Sequence, residues 1–209
     1  VTYIGYKAGY SQTSQADNTF IGAYAGEFAT SGTDNVFIGK YAGRYCDGTD
    51  NTVIGVEAGM SMITGASDNT IIGEEAGQAL IDGDDNVFIG EDAGYNTIGS
   101  DGGSSKQGSD NTFVGSTSGR SNTTGYANAF FGDEAGYDNT TGFWNTAIGD
   151  SALIDCGVGY ANTAIGHGAG CATEHGDQNT FVGSYAGGDN NRTNYTSSAN
   201  RNTYLGNST

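Results

Sequence analysis

Two histidines, His167 and His175, bracket Cys171, and imidazole and thiolate are the donors that zinc prefers. Their spacing matches no standard zinc arrangement, so surface and turn roles are the simpler reading. The carboxylates are better organised. Asp17, Asp34, Asp50, Asp68, Asp85 and Asp110 recur at a near-constant interval, and a second set comprises Glu57, Glu74, Glu75, Glu91, Asp92, Asp133, Glu134 and Asp150. Stacked in rows, such groups repel one another, and Ca²⁺ could bridge them through oxygen ligands. The alternative is turn chemistry for the first row and a solvated face for the second. No cofactor is required, and Ca²⁺ is the one ion that the pattern admits. There is no GxSxG, P-loop, HExxH or EF-hand loop, and no nucleophile is placed beside a base, so we expect no enzyme.

Aromatic residues form the other pattern that could bind a ligand. Tyr126, Phe143 and Tyr160 are spaced evenly, and Trp144, the only tryptophan, adjoins Phe143. A stripe of this kind could stack on sugar rings, or pack as a ladder or a subunit contact. Asn191, Arg192 and Tyr195 add hydrogen-bonding groups on a polar segment, and loops on a rigid scaffold often carry recognition. These seven residues are the candidate ligand site, with a surface glycan as the ligand.

What must position them is a repeat. The phrase Asn-Thr-Phe-Ile-Gly, or a near relative, begins at Asn18, Asn35, Asn51, Asn69, Asn86, Asn111, Asn128, Asn145, Asn162, Asn179 and Asn202, and Val1 opens a twelfth copy in register. Successive spacings are 17, 17, 16, 18, 17, 25, 17, 17, 17, 17 and 23 residues, so only two copies carry insertions, near 96–109 and 189–201. With the Asn counted as position 0, position 4 is Gly in all twelve copies and position 3 is always apolar. Position 7 is Ala and position 8 is Gly with one exception each, Ser118 and Leu153. Short β-branched runs punctuated by Gly at a fixed period exclude a helical reading and indicate stacked coils.

The expected fold is therefore all-β: a single domain, 1–209, forming a parallel β-solenoid of about 11–12 coils with a repeat of ~17 residues and two or three short strands per coil. The eleven asparagines should form a ladder in which side-chain amides satisfy neighbouring coils. Positions 1 and 3 share one face of each strand, and positions 0 and 2 share the other. We expect position 3 to point inward in every coil. Position 2, aromatic or apolar throughout, would then meet copies of the chain around an axis. A homotrimer is the expected assembly, with end-to-end filaments as the second choice.

Composition narrows the partners. A formal net charge of −17 opposes binding to nucleic acid or anionic membranes, and no apolar run reaches the ~20 residues of a membrane-spanning helix. The chain opens inside a repeat with no signal peptide, as a processed or excised segment would. Cys46, Cys156 and Cys171 read as small buried or half-buried side chains, with a Cys156–Cys171 or interchain bond as alternatives.

NTFIGAYAG, NTAIGHGAG and the linking SNTTG and DNTTG resemble the repeats of phage and algal-virus tail-fibre-like proteins and bacterial surface fibres. They are more distantly similar to the head repeats of trimeric autotransporter adhesins. That resemblance implies a left-handed, homotrimeric β-roll, located outside the cell on a virion or cell surface. The function it implies is that of a structural fibre, filament or adhesin segment. Two alternatives are a carbohydrate-binding module of a larger extracellular protein, and an ice-binding solenoid suggested by Thr at position 1 in nine of twelve copies.

Overall fold

The structure, a computed structural model, describes residues 1–13, 17–63, 65–99, 106–188 and 200–208. Twelve three-residue strands follow one another along it: β1 (Thr2–Ile4), β2 (Thr19–Ile21), β3 (Val36–Ile38), β4 (Thr52–Ile54), β5 (Thr70–Ile72) and β6 (Val87–Ile89), then β7 (Thr112–Val114), β8 (Ala129–Phe131), β9 (Thr146–Ile148), β10 (Thr163–Ile165), β11 (Thr180–Val182) and β12 (Thr203–Leu205). They form one parallel sheet in chain order, and the register never slips. Even across the 25-residue spacing, Val87 pairs with Thr112 and Ile89 with Val114. The chain is the all-β parallel solenoid that its repeat predicts.

The faces of the strand are the reverse of the expected ones. Phe20, Phe37, Val53, Ile71, Phe88, Phe113, Phe130 and Phe181, all at position 2, are fully buried in the interior of the single chain. Rings in adjacent coils stack face to face, with Phe20 and Phe37 centroids 4.7 Å apart and 3° from parallel. Position 3 lies outside instead. Ile21, Ile38 and Ile54 do stack on one another in register, but on the outer face of the sheet, together with the Thr column.

The reason lies at position 8. Its glycines adopt φ between 52 and 64°, and a Cβ on Gly26 would sit 2.6 Å from the Phe20 ring. Glycine leaves the hollow that the aromatic fills. Where the aromatic is missing, the hollow is filled otherwise. Ala147 and Ala164 occupy position 2 of two successive coils, and there Leu153, the exception in the glycine column, is fully buried. Its Cδ2 reaches to 2.9 Å from where a Cβ on Gly170, one coil on, would lie.

A third interior column, at position 11, carries no residue-type signature: Ala29, Cys46, Met62, Leu80, Thr97, Asn122, Asn139, Cys156 and Thr173 are all buried. The largest of these, Met62 and Leu80, lie in the coils whose position 2 is Val53 or Ile71 rather than Phe. Volume is thus traded between columns to keep the interior filled.

Among the described residues each coil has one strand, not two or three. After the strand, Gly at position 4 turns the chain; a Cβ on Gly22 would collide with the carbonyl of Gly39 in the next coil. The following arm zigzags. Gly26 N–H donates to Ala42 O of the next coil at 3.1 Å, Glu27 N–H to Tyr24 O within its own coil at 3.2 Å, and Phe28 N–H to Arg44 O of the next coil at 2.8 Å. Alternate amides closing four-residue turns prevent a continuous ladder, while every second amide still ties coil to coil.

The asparagine ladder forms as expected. Asn35 N–H donates to Asn18 Oδ1 at 2.8 Å, Asn51 N–H to Asn35 Oδ1 at 2.9 Å, and the pattern continues to Asn202, whose N–H donates to Asn179 Oδ1 at 3.0 Å. The amides of Asn18, Asn35, Asn51, Asn69, Asn111, Asn128, Asn145 and Asn162 also brace the far corner of their own coils, as when Asn128 Nδ2 donates to Gly142 O at 2.8 Å. The 16- and 18-residue coils keep this brace through Gly48 O and Ala66 O, so their length change is absorbed before the corner.

Candidate functional site

The aromatic stripe is the predicted feature that the fold draws together most tightly. Tyr126 and Phe143 stack 4.9 Å apart and 1° from parallel, and Phe143 and Tyr160 stack 5.0 Å apart. One ring per coil at position 15 gives this spacing directly. Trp144 does not join the stack. Its plane lies at 79° to Phe143, with centroids 5.1 Å apart, and it remains 58% exposed. Beside it runs a groove of about 450 Å³ lined by Lys106, Gln107, Asp110, Tyr126, Ala127 and Trp144. Across the groove Lys106 Nζ donates to Asp110 Oδ2 at 2.7 Å, and that hydrogen bond holds the lysine above its usual pKa. Asn191, Arg192 and Tyr195 lie outside the described residues.

The acidic residues follow two different logics. Asp34, Asp50, Asp68, Asp85 and Asp110 all adopt left-handed backbone, with φ between 57 and 59°. Aspartate tolerates that region better than most residues, so the row serves the turn into the strand. In the second row, Glu57, Glu75, Asp92 and Glu134 share a left-handed conformation as well. Burial, then the charges of Asp92, Glu57 and Glu74, push the Glu75 carboxyl above its ordinary value. Asp92 is paired with Arg120 at 3.0 Å, and Glu57 accepts from Gln78 Nε2 at 3.0 Å. Among the described residues, no three His, Cys, Asp or Glu side chains converge where one ion could reach them all.

The histidine–cysteine trio does not converge either. His167 lies 3.4 Å from Asp150 and packs edge-on against Tyr185, whereas His175 lies 3.9 Å from Glu174. Cys46, Cys156 and Cys171 are thiols, not disulfide partners. Cys46 and Cys156 belong to the interior column, and burial pushes each thiol up to about 12.

One cluster escaped the sequence reading. Glu27, only 2% exposed, accepts from Arg44 Nη2 at 2.7 Å and Lys7 Nζ at 3.1 Å. Burial alone would raise its carboxyl, but the hydrogen bonds from Arg44 and Lys7 outweigh it and hold it below the usual range. The Arg44 guanidinium sits among Tyr41, Phe28, Tyr45 and Tyr24 at 4.9, 5.1, 5.2 and 5.7 Å from their ring centroids. This cage staples three coils. Its signal was present: Glu27 and Arg44 share position 9, Tyr24 and Tyr41 share position 6, and Phe28 and Tyr45 share position 10.

A second groove, about 610 Å³, runs along another side and is lined by Ser121, Asp138, Thr140, Asp155, Glu174 and His175 among others. It mixes the carboxylates of Asp138, Asp155 and Glu174 with the apolar Val158 and Ala172, and no aromatic hydrocarbon ring lines it. None of the described residues forms a helix long and apolar enough to cross a membrane. No protein-family model, curated protein or solved structure matches the chain.

Proposed function

We propose that this chain is a structural segment of a fibre or filament on a virion or cell surface, and that it self-associates through the outer face of its sheet. The observation that carries this reading is the pair of columns at positions 1 and 3. They set Thr, Val or Ala beside Ile, Val, Leu or Phe along twelve strands, and Phe131, Ile148, Ile165 and Val182 are each about two-fifths exposed. An unbroken row of partly exposed apolar side chains of this length is the kind of surface that monomers rarely leave open. A homotrimer around that face is the preferred assembly, and growth of the stack end to end is the second choice. The role is mechanical and adhesive rather than enzymatic.

Mass measurement in solution tests it. A species near three times 21.4 kDa that collapses on Ile89→Lys supports the reading, because the lysine would place a charge on the contact. A monodisperse 21.4 kDa monomer at high concentration opposes it.

A second reading, ice binding, gains from the same reversal of faces. Thr at position 1 in nine of twelve copies belongs to an outward, regularly spaced array rather than to the core. A monomer that inhibits ice recrystallisation, and loses that activity on Thr112→Lys, would favour it over association.

A further inference from the structure

Trp144 departs from its column in its side chain. The column turns through left-handed backbone from Asp34 to Arg201, with φ between 53 and 60°, a conformation that aspartate tolerates and a bulky aromatic avoids. Six equivalent positions hold Asp, and the copies on either side hold Ala127 and Ala161. The indole also stands across the aromatic ladder instead of extending it, and keeps more than half its surface open beside a groove. The turn itself is made equally well by Asp or Ala, so an indole left more than half uncovered beside a groove answers no packing need of the coil.

We propose that the groove beside Trp144 is a subsite for an uncharged pyranose ring of a glycan. The ring would stack on the indole, and its hydroxyls would bond to Lys106, Gln107 and Asp110. A volume of about 450 Å³ lies within the range of small-ligand sites. A pyranose has an apolar face and a rim of hydroxyls that need both donors and acceptors. Trp144 supplies the first, and the second is met by an ammonium with three donors, a carboxylate with free lone pairs, and an amide offering both. Lys106 is already neutralised by Asp110, and the chain carries −17 overall, so an anionic sugar is disfavoured. The larger acidic groove offers hydrogen bonds but no platform.

The site is built by one chain, so it does not depend on association. Trp144 nevertheless stands two residues before Thr146 on the outer face, and the test has to separate a sugar site from a subunit contact. Because Trp144 is the only tryptophan, its emission reports on this groove alone. The protein, in whatever assembly it adopts, is titrated with the methyl glycosides of glucose, galactose, mannose and N-acetylglucosamine. At least one should give a saturable, weak change in emission. Asp110→Asn and Lys106→Met, which leave the indole in place, should each weaken that titration about fivefold. Trp144→Ala should abolish retention on the immobilised sugar while solution mass stays unchanged. Emission that ignores all four glycosides overturns the proposal. So does a fall in mass on Trp144→Ala with sugar retention intact, which makes the indole a subunit contact. Loss of the oligomer in Ile89→Lys with the sugar titration preserved would bear on association alone.

Discussion

Asn69 and Asn51 are joined twice through a single oxygen: both the backbone N–H and the side-chain Nδ2 of Asn69 donate to Asn51 Oδ1, each at 3.1 Å. Asn69 repays the pattern upward, where its Oδ1 accepts from Asn86 N–H at 3.0 Å, and sideways, where its Nδ2 donates to Gly83 O at 2.9 Å. Asn69→Leu would strand two buried backbone groups in mid-rod. We expect a loss of about 2–4 kcal/mol in denaturant unfolding. A loss below about 1 kcal/mol would mean that the ladder is ornamental to stability.

Core compensation predicts a coupled pair. Ala147→Phe alone should destabilise, because the new ring would meet Leu153 in the hollow that glycine normally provides. Leu153→Gly alone should cost about 2–5 kcal/mol for the emptied space. Together the two changes recreate the common Phe–Gly arrangement and should recover most of the loss. A double-mutant cycle checks this, and strict additivity would refute it.

Two carboxylates should respond to pH with opposite signs. Glu27 has a depressed folded pKa, so its contribution is present above the ordinary carboxylate range and is lost as pH falls through the folded value. Glu75 has a raised one, so its contribution is present below that range and is lost as pH rises through the folded value. Glu75→Gln should therefore stabilise near neutrality, with the gain vanishing towards acid. Glu27→Gln should do the reverse, its cost shrinking in acid. Thermal melts across pH for the two variants distinguish them, and parallel curves would contradict the assignment.

Glu57, Glu75 and Asp92 place a carboxylate at the same position of three successive coils and should make melting temperature sensitive to cations. We expect calcium to raise it more than sodium at matched ionic strength, through bridging between neighbouring coils. Equal shifts would reduce the effect to screening.

On the outer face, Ile54→Lys should leave the unfolding free energy of the separated chain within about 1 kcal/mol of the parent, since its neighbours there are already partly exposed. Its effect should fall on assembly, read as mass. A large loss of intrinsic stability would return position 3 to the core.

The period, the parallel register and the asparagine ladder were legible because they repeat residue type. The orientation of the strand was not, because Thr19 and Ile21 look as suitable for a core as Phe20 does. What decides the matter is Gly26, six residues beyond the ring it accommodates, and the substitution of Leu153 where Ala147 and Ala164 stand is the same rule seen in exception. The position 11 column was invisible, since Cys46, Met62, Leu80 and Asn122 share burial and nothing else. Trp144 was legible as an aromatic, but its edge-on stance beside the ladder follows left-handed backbone that its column shares from Asp34 to Arg201, whether the residue is Asp, Ala, Gln or Arg.

Every strand of the sheet bonds only to its neighbours in chain order, and those bonds point along the rod. Tension applied between the two ends would thus load the coils one after another, opening each as a zipper rather than shearing them together. Each coil that peels away would free ~17 residues, on the order of 55–60 Å of extended chain, in place of about 4.8 Å of rod. A lone chain would give way in small, evenly sized steps at low force. Rods bound side by side along their outer faces would have to part laterally before any coil could open.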